Sequence, residues 1–186
     1  MNKLLLLTFL VAIFFVQTAC NSKIITNTAI NSTKNLTVNT LTGFVMSPSA
    51  LSFSTLTPGT YNQTPSNHLT LNNTGNQNIT SGNVEVNATD LRGETNSAQA
   101  LWAGNFSASP YTGGYIECNI TASATQLVNM TYTGVTNVVL PKGNYSINDG
   151  NTGQEKMYFC LREVGPELAQ QYYSTASLGA WTVKIA

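Results

Sequence analysis

The chemistry open to this chain rests on few side chains. Its 186 residues include one histidine, His68, eight acidic and eight basic residues, and three cysteines. A serine-hydrolase arrangement would have to combine His68 with Asp90 or Asp149, and no nucleophile-elbow pattern is present to offer a serine to them. Paired carboxylates for glycoside hydrolysis would come from Glu85, Glu94, Glu117 and Glu155. Glu85 and Glu117 fall at outward positions of alternating segments, so solvated faces are expected of them, and an exposed or edge-strand position is expected of His68. Asn148-Asp149-Gly150-Asn151 offers oxygen ligands and a glycine but too few carboxylates for a calcium loop. Asp-Gly between short strands reads first as a hairpin turn. One histidine and two cysteines beyond residue 20 fall short of a zinc set. Gly113-Gly114 has no helix start after it and so forms no phosphate cradle. A non-enzymatic protein is expected, with no catalytic residue, no cofactor and no metal.

The residues suited to covalent modification point outside the cell. Asn-x-Ser/Thr sequons begin at Asn31, Asn35, Asn62, Asn72, Asn78, Asn87, Asn105, Asn119, Asn129 and Asn144. None has proline in the middle, and they are roughly twice as many as composition alone would give. They are candidates for N-glycosylation in a host that carries it out, although a chain rich in Asn and Thr also generates sequons freely. Cys118 and Cys160 form an even pair, as an oxidising compartment favours. A disulfide between them would stabilise the fold by about 4 kcal/mol in the chain-entropy model.

The N-terminus agrees with export. Met1-Asn2-Lys3 is a short basic start, and residues 4–16 are apolar except for Thr8. That length fits a signal-peptide core and is well short of the roughly twenty residues of a bilayer span. Residues 1–20 are therefore expected to be a signal peptide. No second apolar run of that length occurs and the sequence has no hydrophobic tail, so no permanent span is expected. Gln17-Thr18-Ala19-Cys20 resembles a bacterial lipobox in its small residue before cysteine and departs from it at Gln17. Cys20 is thus a candidate for lipidation, the alternative being ordinary cleavage beside it. The membrane would be met only through the signal peptide or a lipid on Cys20, leaving an extracellular or cell-surface protein.

Composition narrows the partners. Charged residues make up 9% of the chain and the formal net charge is zero, against about 25% charged residues in ordinary soluble proteins. There is no basic footprint for nucleic acid. With so little charge repulsion, sugar is a plausible agent of solubility.

The elements that must position these residues are read from periodicity. Residues 21–39 form a polar leader carrying Leu36 and Val38, either flexible or an extended strand. Residues 40–186 are expected to form one all-β domain, an Ig-like antiparallel sandwich, because short alternating runs are separated by turn residues. The apolar sets are Leu51 and Phe53; Leu69 and Leu71; Val84, Val86 and Ala88; Ile116, Cys118 and Ile120; Val128, Met130 and Tyr132; Met157, Phe159 and Leu161; and Trp181, Val183 and Ile185. Asn87, Asn119 and Asn129 take the opposite parity, where a glycan would project. Turns are expected at Thr57-Pro58-Gly59-Thr60 and Asn73-Thr74-Gly75-Asn76. Helix is minor: one or two turns over residues 95–103, bringing Leu101 and Trp102 toward the core, and a single turn over residues 166–171, seating Leu168 beneath Tyr172 or Tyr173. Tyr111, Tyr115, Tyr172, Tyr173 and Trp181 could form a carbohydrate platform, and most are expected in the core or at its rim.

Residues 51–60, Leu-Ser-Phe-Ser-Thr-Leu-Thr-Pro-Gly-Thr, followed by Leu69-Thr70-Leu71-Asn72-Asn73-Thr74-Gly75, resemble Ig-like domains of secreted archaeal surface proteins. Their order is similar, more distantly, to biofilm-fibre subunits of the TasA type and related archaeal pilus subunits. Tyr158-Phe159-Cys160-Leu161 and Tyr172-Tyr173-Ser174-Thr175 share that likeness. The resemblance implies no catalytic residue. It implies self-association as a homopolymer or contact with other surface proteins, with residues 21–39 as a donor strand that inserts Leu36 and Val38 into a neighbour. The same residues could instead be the first strand of their own domain. A secreted or lipid-tethered binding module for a carbohydrate or protein ligand is the alternative function.

Overall fold

The computed structural model describes residues 43–143 and 153–186. The signal peptide, Cys20, the leader at residues 21–39, the sequons at Asn31, Asn35 and Asn144, and the turn expected at residues 148–151 lie outside the described residues.

Twelve strands are described: β1 (Phe44–Ser47), β2 (Tyr61–Gln63), β3 (Leu69–Asn73), β4 (Val84–Asn87), β5 (Leu91–Gly93), β6 (Ala100–Leu101), β7 (Phe106–Ser109), β8 (Thr125–Gln126), β9 (Thr133–Gly134), β10 (Gln154–Glu163), β11 (Tyr173–Ser174) and β12 (Thr182–Ile185). All pairings between them are antiparallel. Among the described residues the only helical elements are two 3₁₀ turns, at Ala103–Asn105 and Ile116–Cys118. The described residues form an all-β fold.

The longest strand, β10, organises the largest sheet, whose order is β1-β3-β10-β7-β8 with β2 also on β10. Its first residues pair with β3, Met157 opposite Leu69, and its later ones with β7, Phe159 opposite Ala108. Two three-stranded sheets, β11-β5-β6 and β12-β4-β9, complete the set. The core draws on all three sheets: Leu71, Val86, Leu101, Phe106 and Phe159 belong to one buried cluster.

Most of the expected alternation is seen directly. Leu69 and Leu71 in β3, Val84 and Val86 in β4 with Ala88 after it, and Met157, Phe159 and Leu161 in β10 are all buried. Val183 and Ile185 in β12, with Trp181 before it, pack partly buried against the core. Leu51 and Phe53 also turn inward while Ser52 and Ser54 stay exposed, yet no ladder forms there. The Asn67 amide stands in for one, donating to the Ala50 carbonyl at 2.9 Å and accepting the Ser52 N–H at 3.2 Å. At the first turn, Thr60 N–H donates to the Thr57 carbonyl and Gly59 takes φ 80°. At the second, Asn73 Oδ1 accepts the Gly75 N–H at 2.8 Å.

Four expectations are corrected. Ile116, Cys118 and Ile120 do not share a strand: Ile116–Cys118 is a 3₁₀ turn, and Ile116 is exposed. Local bonds win over a ladder there, because Ser123 and Ala124 donate to the Asn119 carbonyl and the Thr121 N–H and hydroxyl go to Asn119 Oδ1, as short polar side chains favour. Val128, Met130 and Tyr132 all face solvent, and Leu127 is the buried residue. Met130 takes φ 55° in a tight reversal that brings Val128 opposite Thr131, which breaks the period. In place of helical turns over residues 95–103, β5 and β6 form a hairpin, with Leu91 opposite Leu101 and the Ala98 N–H on Asn96 Oδ1 in the connection; Leu101 is buried but Trp102 is exposed. Residues 166–171 do not wind into a helical turn: the Leu168 N–H closes a single turn on the Gly165 carbonyl. Leu168 does pack against the core, together with Tyr173, while Tyr172 is 82% exposed.

Candidate functional site

A cleft of about 1210 Å³ opens beside the core. One wall is the strandless segment carrying Leu51, Phe53 and Leu56. The opposite wall runs from Leu168 through Tyr173 to Trp181. Buried residues from three strands, Val86, Phe106 and Phe159, reach its floor.

Both walls are fastened at their ends. Ser66 N–H donates to the Ser52 carbonyl at 3.0 Å, and Gly59 N–H to the Val164 carbonyl at 2.8 Å. Within the second wall, Tyr173 donates its hydroxyl to the Ala169 carbonyl at 2.9 Å. The Trp181 indole N–H donates to the Thr89 carbonyl at 2.7 Å, and its ring meets Phe106 edge-on at 5.0 Å. Among the described residues lining the cleft there is no Asp, Glu, Lys, Arg or His. Such a surface can bind an apolar or alternating segment; its lining offers no acid or base.

The residues considered for catalysis are dispersed among other contacts. His68 precedes β3, half-buried rather than exposed, its ring 5.0 Å from that of Tyr158. Asp90 is 2% exposed and accepts the Ala103 N–H at 2.9 Å, with Arg92 and Asn129 on its other oxygen. Glu85 lies 2.9 Å from the Lys184 ammonium across β4 and β12. Glu117, expected to be solvated, is instead 5% exposed: the Thr112 hydroxyl donates to Oε1, and Oε2 is buried without a partner. Once the segment is a 3₁₀ turn beside β7 and β10, strand parity no longer decides which way Glu117 faces. Glu155 has its pKa raised by burial, an effect opposed by the Lys156 N–H that it accepts. Among the described residues no three His, Cys, Asp or Glu side chains gather as a metal would require.

Cys118 and Cys160 are joined as a disulfide, tying the 3₁₀ turn to β10. The described sequons sit in unequal surroundings. Asn62, Asn78, Asn119 and Asn129 are exposed, and Asn72, Asn87 and Asn105 half-buried. Asn87 projects opposite Val86 and Ala88, as its parity requires. Asn119 and Asn129 are exposed as well, although the strands invoked to place them do not form. Of the five aromatics, Tyr111 (50%), Tyr115 (57%) and Tyr172 face solvent, whereas Tyr173 and Trp181 pack on the core. Sequence periodicity did not locate the cleft, because its walls come from segments that pair with no neighbouring strand on that side. The Leu51 and Phe53 alternation, without a ladder to account for it, is the one signal of it.

Among the described residues no helix is long and apolar enough to cross a membrane. No family model, curated protein or solved structure matches the chain.

Proposed function

We propose that this is an exported, N-glycosylated structural protein of the cell surface, non-enzymatic, with an Ig-like sandwich as its folded unit. It would be a component of an envelope layer, pilus or matrix. The observation that carries this reading is the apolar cleft with its strandless wall, a surface suited to an added strand from another copy. Strand addition combines main-chain hydrogen bonds with pockets for alternate side chains, and Leu36 and Val38 of the leader have that alternation. The disulfide and the scarcity of charge fit an extracellular setting.

The test is assembly of the full mature chain. Fibres or sheets that grow with concentration, and that vanish when residues 21–39 are deleted, support strand exchange. A monodisperse monomer whose state is unchanged by the deletion removes it.

A second reading, a binding module for carbohydrate or protein, is favoured by one observation: Tyr111 and Tyr115 are both exposed on the loop that leads into the second 3₁₀ turn. Glycan-array binding lost in a Tyr111→Ala, Tyr115→Ala double variant, with assembly unaffected, would favour it over the structural role.

A further inference from the structure

We infer that the outer edge of β12, through the main-chain groups of Val183 and Ile185, is the row on which the added strand pairs, and that this strand is residues 35–39 of a second copy. This rests on the strand-addition reading above and assigns it an acceptor.

The ladder fixes which groups are free. In an antiparallel pair, residues that exchange main-chain bonds with their partner alternate with residues whose N–H and C=O point the other way. Ala186 N–H donates to the Asn83 carbonyl at 2.8 Å, one step beyond Ile185 opposite Val84. Lys184 with Glu85 and Thr182 with Asn87 are therefore the bonded pairs. The other side of β4 agrees, because Val135 N–H donates to the Val84 carbonyl at 2.8 Å and so Val84 and Val86 turn toward β9. The N–H and C=O of Val183 and Ile185 are left pointing away from β4, on the side where β12 has no further neighbour in its sheet.

This edge lacks protection. Sheet edges are blunted by charge, proline or a bulge. β12 contains no proline, and its register runs without a bulge. Its one charge, Lys184, is taken up on the outer face, 2.9 Å from Glu85 and 4.1 Å from the centroid of the Tyr132 ring. The opposite side of the sheet is closed: just after β9, the Thr136 N–H donates to Thr125 Oγ1 of β8 at 2.9 Å.

The free edge also borders the cleft. Ala180, Trp181 and Val183 line it, and Val183 and Ile185 pack against the core. On the opposite wall, Phe53, Ser54, Thr55 and Leu56 make no main-chain hydrogen bond among the described residues. A strand laid along β12 gives Val183 and Ile185 partners and directs every second side chain toward the floor of Val86, Phe106 and Phe159.

Charge and reach select the occupant. The cleft has no charged lining residue among those described, and residues 35–39, Asn-Leu-Thr-Val-Asn, carry no charge either. Their alternation offers Leu36 and Val38 to the floor and leaves Thr37 outside. Extended, residues 21–39 cover roughly 60 Å, ample to cross a strand as short as β12 on a neighbouring molecule. In its own copy the chain enters the fold at Gly43, whose carbonyl accepts the Thr74 N–H, at the end of β1 away from Met46, the β1 residue that borders the cleft.

The experiment is amide hydrogen exchange of the full mature chain, read residue by residue, in dilute monomer and in the assembled form dissolved after exchange. We expect the Val183 and Ile185 amides to exchange freely in the monomer and roughly tenfold or more slowly in the assembly, with Lys184 protected in both. Unchanged exchange at Val183 and Ile185, in an assembly that still requires residues 21–39, would overturn the inference and leave strand addition standing at another edge. Protection already present in the dilute monomer would show the edge covered within one copy and overturn the second-copy occupant. No assembly at all would remove both readings. Val183→Pro deletes an N–H that the β4 ladder does not use, so Lys184 should stay protected while assembly is lost. Assembly of that variant at the unmutated rate would overturn the inference. Should the variant fail to fold, the exchange comparison decides, since it needs no substitution.

Discussion

Trp181 and Thr89 hold each other's strands in place. The indole N–H of Trp181 donates to the Thr89 carbonyl at 2.7 Å, and the Thr89 hydroxyl donates to the Gly179 carbonyl at 2.8 Å. This clasp fixes the start of β12 beside the end of β4, and it holds the indole against Phe106 and Phe159 at the cleft. Trp181→Phe keeps most of the ring contact and removes the donor, leaving a carbonyl to be satisfied elsewhere. The expected cost is about 1 kcal/mol. Trp181→Ala also opens a void and should cost about 3–5 kcal/mol. Urea unfolding of the two variants checks the order, and equal losses would show that the hydrogen bond and not the packing is what matters.

The disulfide predicts a second, separable loss. Cys118 and Cys160 are 42 residues apart in sequence, so their link restricts a long loop in the unfolded chain. In the chain-entropy model its removal costs about 4 kcal/mol. A Cys118→Ala, Cys160→Ala double variant should show a urea midpoint lowered accordingly. Adding reductant should then lower the midpoint of the unmutated protein and leave the variant's unchanged.

The cysteine pair was legible from its even number, and the inward faces of β3, β4 and β10 from their alternation. Leu71, Val86 and Phe159 are paired on regular ladders, where a period of two maps directly onto burial. The failures share a cause as well. At Asn119 and Asn96 short polar side chains bond to nearby backbone and close turns, and a periodic pattern of apolar residues cannot register that competition. Met130 sits in a left-handed conformation that nothing in its type announces. Trp102 was expected to face inward as part of a helix; in a hairpin followed by a 3₁₀ turn it faces solvent. The cleft was hidden for a different reason. Its walls are brought together by tertiary structure alone, from segments more than a hundred residues apart in sequence, such as Phe53 and Trp181.

Asp90 supports a third prediction. Its Oδ2 lies near two donors, Arg92 at 3.4 Å and Asn129 Nδ2 at 3.3 Å, while Oδ1 accepts from Ala103. Asp90→Asn must turn an NH₂ group toward one of these donors and leaves it unsatisfied in a site that is 2% exposed. The expected loss is about 1–3 kcal/mol. Arg92→Ala, which removes a partly exposed partner, should cost no more than about 1 kcal/mol. Thermal melts of the two variants should therefore differ clearly, and an Arg92→Ala loss as large as that of Asp90→Asn would contradict the assignment of Asp90 as the buried anchor.

Glu155 gives stability a pH dependence whose sign follows from its position. It lies opposite Leu71 in the β3–β10 ladder, and cross-strand partners share a face. Leu71 is fully buried, so this carboxyl is directed toward apolar surroundings. Burial raises its pKa, and the Lys156 N–H it accepts only partly offsets that. The folded state thus prefers the protonated acid. Its contribution is fully present below the ordinary glutamate pKa and is lost as pH rises through the raised folded value. Glu155→Gln keeps an acceptor for Lys156 and can never ionise. It should be the more stable protein at neutral pH, and the gap should close as the solution is acidified below the glutamate range. Urea midpoints for both proteins across that interval provide the check. A gap that stays constant with pH would mean that ionisation of Glu155 plays no part in it.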